Sequence, residues 1–420
     1  MWKKNKTQGK IEKSFKYRLY LNEIIKVIIE KDLEICRQLY NHLRELRIIE
    51  WEKDRTEIKY THQQNLLPNL KKLYPFLKEV QSQVLQDVVR RLDKAWQDFY
   101  KRIKRKEKLE ELGKKAKAVH YPRYKQFGRY DSFTYTQKQD RIELKHSQLW
   151  LSKIGWMNIK KHRKLEGEIK TCSILVKNGK YYANFSCEVK TQPKLDPKLI
   201  SLDRQIGIDV NTSDNNFYAL DTGEKKDNPY FLEKAREVLT EWARKLSRKK
   251  HKRDKEDKTE SSKRYQKTKL ELAKQAEKAA NQRKDFVFKE VKKLTDNYDF
   301  FGVEKFQSSK IVEKEKRENK WYSAKRMYDS ALSLFLKLLW GKVAETGQKV
   351  VKVHSAYTSQ TCSKCQKRHP VKLEKSDRIF ICAFCGLVLD RDVNAARNIL
   401  YKAQKTEFGM NFAKQAHASP

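Results

Sequence analysis

Apolar positions along the first 190 residues change period twice. Ile11, Phe15, Tyr17 and Leu19 fall on one alternation and predict a strand over Lys10–Leu21. From Ile24 to about Glu50 they return at helical spacing, through Ile28, Leu33, Ile35, Leu39, Leu43 and Leu46, and a second helical stretch covers roughly Phe76 to Leu112. Between about Val119 and Val189 the pattern is that of short strands. Gly128, Gly155 and Gly179 mark turns, and Ser173–Phe185 reads as a hairpin on Asn178-Gly179. Strands on both sides of a helical block predict a β-barrel with a helical insertion. Thr191–Asp203, with Pro193 and Pro197, reads as a linker.

A further unit opens on the apolar strand Ile206–Val210, with Phe217–Leu220 pairing back after the polar turn Asn211–Asn216. Residues 230–297 predict a charged helical hairpin hinged within Arg248–Lys258. Then follow a strand at Phe300–Glu304, a helix at Ser323–Thr346 and a strand at Lys349–His354, and the tail after Lys405 reads as loosely ordered. The most apolar run, Leu332–Trp340, is too short to span a bilayer and is broken by Lys337. No apolar stretch follows the basic start Met1–Lys6, so no signal peptide is read there. The expected setting is the cytoplasm, with reduced thiols.

Charge changes this picture. The 95 Lys and Arg outweigh 54 Asp and Glu, a formal net charge of +41. That excess points to a polyanionic partner, and the chain lacks the amphipathic anchor or lipidation signal a membrane partner needs. Two segments suit nucleic-acid contact: Lys101, Arg102, Lys104 and Arg105 on the second helical stretch, and Tyr121, Arg123, Tyr124 and Lys125, which combine stacking with phosphate contact. The plainer readings are a solvated helix face for the first and barrel core for Tyr121 and Tyr124.

Of seven cysteines, Cys362, Cys365, Cys382 and Cys385 form two C-x2-C pairs. Each pair can chelate through a tight turn, and four thiolates close a tetrahedral shell, the pattern of a structural zinc site. An iron–sulfur cluster is the lesser alternative. Lys364, Lys367, Arg368, Lys372, Lys375 and Arg378 surround the site and suit contact with nucleic acid. Three carboxylates stand apart from the general charge. Asp209 lies in an apolar strand, Glu304 ends another, and Asp392 opens a helix rich in small residues. A carboxylate in an apolar strand is costly unless it meets positive charge. Oxygen ligands from three elements suit Mg²⁺, and two such ions about 3.5–4 Å apart can clamp the attacking and leaving oxygens of a phosphodiester. Taken singly, Asp209 can be a strand-end cap and Asp392 a helix N-cap.

In order along the chain, Ile206-Gly207-Ile208-Asp209, Asn281–Phe286, Gly302-Val303-Glu304, Tyr357–Cys365 and Asp390–Ile399 resemble the TnpB transposon-encoded family, itself similar to miniature type V CRISPR effectors. The resemblance implies an α/β multidomain protein with a RuvC nuclease domain of RNase H-like fold over 204–358 and 389–405. It implies a zinc-ribbon target-binding module over 359–388. It also implies a wedge barrel over 1–21 and 119–190, a helical recognition lobe over 22–118, a linker at 191–203 and a flexible tail at 406–420. Asp209, Glu304 and Asp392 then match the catalytic carboxylates, and the four cysteines the zinc ligands. The expected activity is RNA-guided, Mg²⁺-dependent cleavage of DNA beside a short motif, with guide RNA and double-stranded DNA as partners. Asn211 and Gln366 stand where the family usually or often has Gly. A CRISPR effector, a DDE transposase and a non-catalytic nucleic-acid binder are the competing readings.

Overall fold

Along β1 (Lys10–Tyr20), Phe15, Tyr17 and Leu19 are buried while Lys16 and Tyr20 face solvent, as the alternation requires. This strand belongs to a computed structural model that describes residues 9–137, 141–210, 216–249, 262–305, 331–371, 373 and 377–409. The chain divides into two compact units, one over Glu12–Val189 and one over the first residues with everything from Lys190 onward.

In the first unit, α1 (Glu23–Asp54) starts on Asn22, whose side-chain oxygen accepts from the Ile25 N–H at 2.8 Å. The stretch expected as one helix from Phe76 to Leu112 is a 3₁₀ turn at Pro75–Lys78 followed by α3 (Ser82–Glu111). Ahead of it lies α2 (Tyr60–Leu73), which the pattern did not disclose because Pro68 sits inside it. Its buried Gln63, Leu67 and Leu70 nevertheless keep one face against the other helices. No strand opens at Val119, and the first after the helices is β2 (Ser132–Tyr135). There follow β3 (Ile142–Lys145), β4 (Gln148–Leu151), β5 (Gly155–Lys160), β6 (Glu168–Lys177) and β7 (Lys180–Lys190). The expected hairpin joins β6 to β7 through Asn178 and Gly179, both at positive φ (51° and 71°). The seven strands form one curled sheet ordered β2-β6-β7-β1-β5-β4-β3. Strands β2 and β3 end it, and no ladder joins them among the described residues.

The second unit is built on β8 (Gln205–Asp209), β9 (Asn216–Leu220), β10 (Lys225–Asp227), β11 (Phe300–Glu304) and β12 (Lys349–Val353), ordered β10-β9-β8-β11-β12. Strands β8, β11 and β12 run parallel, while β9 is antiparallel to β8 and β10 to β9. A parallel centre needs cover on both faces, which is why β8 and β11 read as near-continuous apolar runs. Between β10 and β11 lie α4 (Phe231–Lys234), α5 (Arg236–Ser247) and α6 (Lys263–Asn297); α7 (Leu332–Thr346) precedes β12. On one face, Ile206, Ile208, Phe301 and Val303 pack with Val287, Val291 and Leu294 of α6 and Phe335, Leu336 and Leu339 of α7. On the other, Phe300, Val351 and Val353 meet Ile399, Leu400 and Ala403 of α8 (Arg391–Phe408). The short ribbon of β13 (Ile379–Ile381) and β14 (Val388–Asp390) leads into α8.

The segment read as a linker is tied down. Gln192 and Leu195 donate to the Glu345 and Gly347 carbonyls at 3.0 and 2.9 Å, and two 3₁₀ turns follow at Pro197–Leu199 and Leu202–Arg204. The tail expected from Lys405 is helical through Phe408. The turn at 211–215, most of the expected hinge (250–261), positions 323–330 and the tail from 410 lie outside the described residues.

Candidate active site and cysteine cluster

Neighbouring parallel strands β8 and β11 are paired through Ile208 and Val303, so Asp209 and Glu304 stand at the same end of the sheet. Asp392 reaches that end from the first turn of α8. Asp390 caps this turn by accepting from the Asp392 and Val393 N–H groups at 2.9 and 3.2 Å. The approach of α8 depends on two glycines in register, Gly207 and Gly302. A Cβ on Gly207 would lie 2.1 Å from the Ala396 carbonyl oxygen, and one on Gly302 would lie 3.0 Å from Ala403 Cβ. Ala395, Ala396 and Ala403 are correspondingly small and buried.

Electrostatics agree with convergence. Burial, then repulsion from Glu304 and Asp392, pushes the Asp209 carboxyl well above the usual range, with Arg391 opposing. Burial also raises Glu304, against a hydrogen bond from Thr358 and the charges of Lys402 and His354. A buried Asp209 repelled by two neighbouring carboxylates is a position that a divalent cation would relieve of both burial and repulsion. The sequence-predicted trio therefore stands at one end of the sheet, near enough for Asp209 to feel both other carboxylates, but among the described residues only the four cysteines are gathered tightly enough to hold one ion as they stand.

The four cysteines are brought together as well. Their sulfurs all lie within 4.8 Å of one another, with Cys362–Cys385 and Cys365–Cys382 each at 3.6 Å, and no disulfide forms. Four thiolates holding one ion at about 2.3 Å would space neighbouring sulfurs about 3.8 Å apart, so the set fits a tetrahedral ion. Burial raises the Cys362 and Cys365 thiols; it would raise Cys382 as well, but the Phe384 and Cys385 N–H groups outweigh it there and bring that thiol down to about 6, so one of the four favours the thiolate a metal needs. Both pairs end on a residue at positive φ, Gln366 (59°) and Gly386 (69°).

Of the predicted nucleic-acid residues, Lys101, Arg102, Lys104 and Arg105 are exposed on the last turns of α3. Tyr121 packs its ring 5.3 Å from Phe99 and 5.5 Å from Trp96, in the helical core. Arg123 and Tyr124 are exposed, while Lys125 is half-buried. The segment is clamped to α1: Arg44 donates to the Pro122 carbonyl, Arg37 and Asn41 to that of Lys125, and Asn41 accepts from the Lys125 N–H. A second basic and aromatic surface escaped the sequence reading. Lys16 sits 3.9 Å over the Tyr182 ring, and Arg18 lies between the rings of Tyr182 and Tyr20 at 5.3 and 5.8 Å. Arg18 Nη1 is buried without a hydrogen-bond partner among the described residues. The signal was present as basic and aromatic residues on the outward positions of β1, but Tyr182 is a partner only across the sheet. Near the cysteines, the Arg368 guanidinium stacks 3.7 Å over half-exposed Tyr357, a pairing also hidden from sequence. Lys372 and Lys375 lie outside the described residues.

Known proteins resemble the chain across these same elements. A family model described as a probable transposase matches residues 184–315, and one described as a Cas12f1-like TNB domain matches 333–399. The putative RNA-guided DNA endonuclease InsQ of Escherichia coli (strain K12) is 25% identical over 340 residues, 77% of this chain and 75% of that protein. A putative RNA-guided DNA endonuclease of Streptomyces pristinaespiralis is 26% identical over 398 residues, 93% of this chain and 89% of its own length. TnpB-like protein L79 of Acanthamoeba polyphaga mimivirus is 30% identical over 140 residues, 33% of this chain and 26% of its length. The chain is thus similar to TnpB-type proteins over both the nuclease-like unit and the cysteine-bearing segment.

Of the departures from the TnpB pattern, Gln366 is the one whose effect the geometry explains. Its side-chain amide donates to the Ser363 carbonyl at 3.0 Å and approaches Asn398 Oδ1 at 3.4 Å, contacts glycine cannot make. Relief of left-handed strain in Gln366→Gly, about 1 kcal/mol, opposes the loss of those bonds, about 1 kcal/mol. Thermal denaturation should therefore place Gln366→Gly close to the parent, whereas Gln366→Val, which keeps the strain and loses the bonds, should melt clearly lower.

Proposed function

We propose that this protein is an RNA-guided DNA endonuclease. It would hold a structured guide RNA, read a short motif on double-stranded DNA and cut target DNA beside that motif. The observation that carries the reading is that Asp209, Glu304 and Asp392 come from three separate elements to one end of the parallel strands β8 and β11. The kinship to proteins named as RNA-guided DNA endonucleases points the same way. The five-stranded sheet with α8 against it supports a RuvC-type nuclease of RNase H-like fold over 204–358 and 389–405. Residues 359–388 would be the target-binding zinc ribbon, with Cys362, Cys365, Cys382 and Cys385 as ligands of a structural Zn²⁺ that has no open position. The sheet of 1–21 and 119–190 would be the wedge, and the helices of 22–118 the recognition lobe.

Asp209, Glu304 and Asp392 would hold magnesium ions, which when bound activate water and offset charge developing on the phosphate. The chain's own part is to bring three carboxylates to one point and to keep α8 seated so that Asp392 stays in reach. Lys101, Arg102, Lys104, Arg105, Arg123, Tyr124 and Lys125, with Lys16, Arg18, Tyr20 and Tyr182, would supply phosphate contact and stacking. Tyr121 would support that surface from within. Among the described residues no helix is long and apolar enough to cross a membrane, and we assign the protein to the cytoplasm.

Sequencing the RNA that co-purifies with the protein tests the reading. One discrete structured species with a variable end is the expected result. Random fragments would reduce the protein to a generic polyanion binder.

A further inference from the structure

We propose that Thr358 is the positioning residue for Glu304, and that Asn394 and Asn398 of α8 hold Thr358 in place. The loop entering the cysteine cluster thereby sets the orientation of a catalytic carboxylate. This rests on the reading of Glu304 as part of the nuclease site.

Glu304 is the last residue of β11, where the sheet ceases to restrain a side chain. Thr358 Oγ1 lies 2.6 Å from Glu304 Oε1 and 3.1 Å from the Ser355 carbonyl oxygen. A hydroxyl has one proton for these two acceptors. The shorter distance falls in the range of a bond to an ionised carboxylate, and the longer is beyond the usual O–H···O range. The proton therefore goes to Glu304, and Thr358 is more than a cap of its own turn. Oε1 is thereby committed, while Oε2 has no hydrogen-bond partner among the described residues and is left for a cation.

Thr358 is itself fixed from α8. Asn398 Nδ2 donates to the Thr358 and Thr361 carbonyls at 2.9 and 2.6 Å. Asn394 Nδ2 donates to the Thr361 carbonyl at 2.8 Å, and its Oδ1 accepts from the Ser363 N–H at 2.9 Å. Asn394 and Asn398 are four residues apart, on one helix face, and are 0% and 1% exposed. Burying two amides is unfavourable unless their bonds are made, and the loop 358–363 makes them. Asp392 sits on the first turn of the same helix. One helix is therefore the common reference for two of the three carboxylates, directly for Asp392 and through Thr358 for Glu304.

The test compares T358V, which keeps the shape and loses the hydroxyl, with T358S, which keeps the hydroxyl. Mn²⁺ binding by titration calorimetry and the Mg²⁺ dependence of cleavage are measured on the RNA-loaded proteins. T358V should bind Mn²⁺ about tenfold more weakly, as expected for loss of a group that orients a ligand, and should need correspondingly more Mg²⁺ for half-maximal cleavage. T358S should stay near the parent in both. Parent-like Mn²⁺ affinity and Mg²⁺ dependence in T358V would overturn the proposal, as would T358S falling as far as T358V, which would assign the effect to packing. T358A takes the place of T358V, with the same two outcomes, if the latter does not fold. The nuclease reading is judged separately by the parent and D209A, since it fails only if the parent does not cut or D209A does.

Discussion

Asp209→Asn is expected to lose DNA cleavage by about three orders of magnitude or more while keeping RNA-dependent DNA binding. The same substitution should raise the melting temperature at neutral pH when divalent cations are withheld. Both outcomes follow from its surroundings. Asp209 is enclosed by the sheet and faces Glu304 and Asp392, so its carboxyl is pushed above its ordinary value. A carboxyl whose native value lies above its unfolded value holds more protons folded than unfolded over the interval between them. Stability then falls as pH rises through that interval, and the loss is complete above the raised native value. At neutral pH without cations Asp209, held either charged beside two carboxylates or protonated against its ordinary preference, is thus a net destabilising group, and the neutral amide removes that cost. Melting curves from pH 4 to pH 8 should slope down more steeply for the parent than for Asp209→Asn. Added Mg²⁺ should stabilise the parent more. An Asp209→Asn protein that still cut DNA would remove Asp209 from the catalytic set, and one destabilised at neutral pH would contradict the repulsion.

The second large effect is expected at a residue with no side chain. In Gly207→Ala the new methyl would lie 2.1 Å from the Ala396 carbonyl oxygen and 2.8 Å from Leu400 Cβ. One of these atoms is backbone, so α8 must move away from β8. Forcing extra volume into such a contact costs about 1–3 kcal/mol. The displaced helix also carries Asp392 and the two asparagines that grip 358–363, so cleavage should fall further than stability alone accounts for. Gly302→Ala meets Ala403 Cβ at 3.0 Å and the Ile399 carbonyl at 3.1 Å, and should be the milder of the two. Denaturation midpoints and single-turnover cleavage of both variants check the ranking. A Gly207→Ala protein with parent-like values in both would show that α8 does not need so close an approach.

What could be read from the sequence was local in character. Strands β8 and β11 announced themselves because strands covered on both faces are continuously apolar. The Asn178-Gly179 turn carries its own geometry, and the cysteine spacing carries its own chemistry. The hidden features depend on partners far along the chain. Pro68 obscured α2, whose helix is secured by packing rather than propensity. The segment at 121–125 read as part of a strand region but pairs with none, because Asn41 and Arg37 take the Lys125 backbone groups and Arg44 the Pro122 carbonyl in place of a neighbouring strand. Tyr182 joins Lys16 and Arg18 only once the sheet forms. In the candidate site the carboxylates were legible by residue type, whereas Thr358 was not. Nothing local to it indicates that its hydroxyl meets Glu304, 54 residues earlier.

The way the cysteine-bearing ribbon is attached also says where this part of the molecule can vary in length. Its entrance is held where Asn394 grips Thr361, and its exit where Asp390 caps α8 and pairs with Ile379. Both attachments fall within the first two turns of a single helix. Lys367–His369 and Asp377–Arg378 are bonded back to these two attachments, so it is between Val371 and Asp377 that length can change without moving either, in the manner of a cassette seated on a fixed mount. Indels between Thr358 and Cys362 or between Val388 and Asp392 would instead shift a carboxylate. Related ribbons should be interchangeable if cut and joined outside those two short stretches.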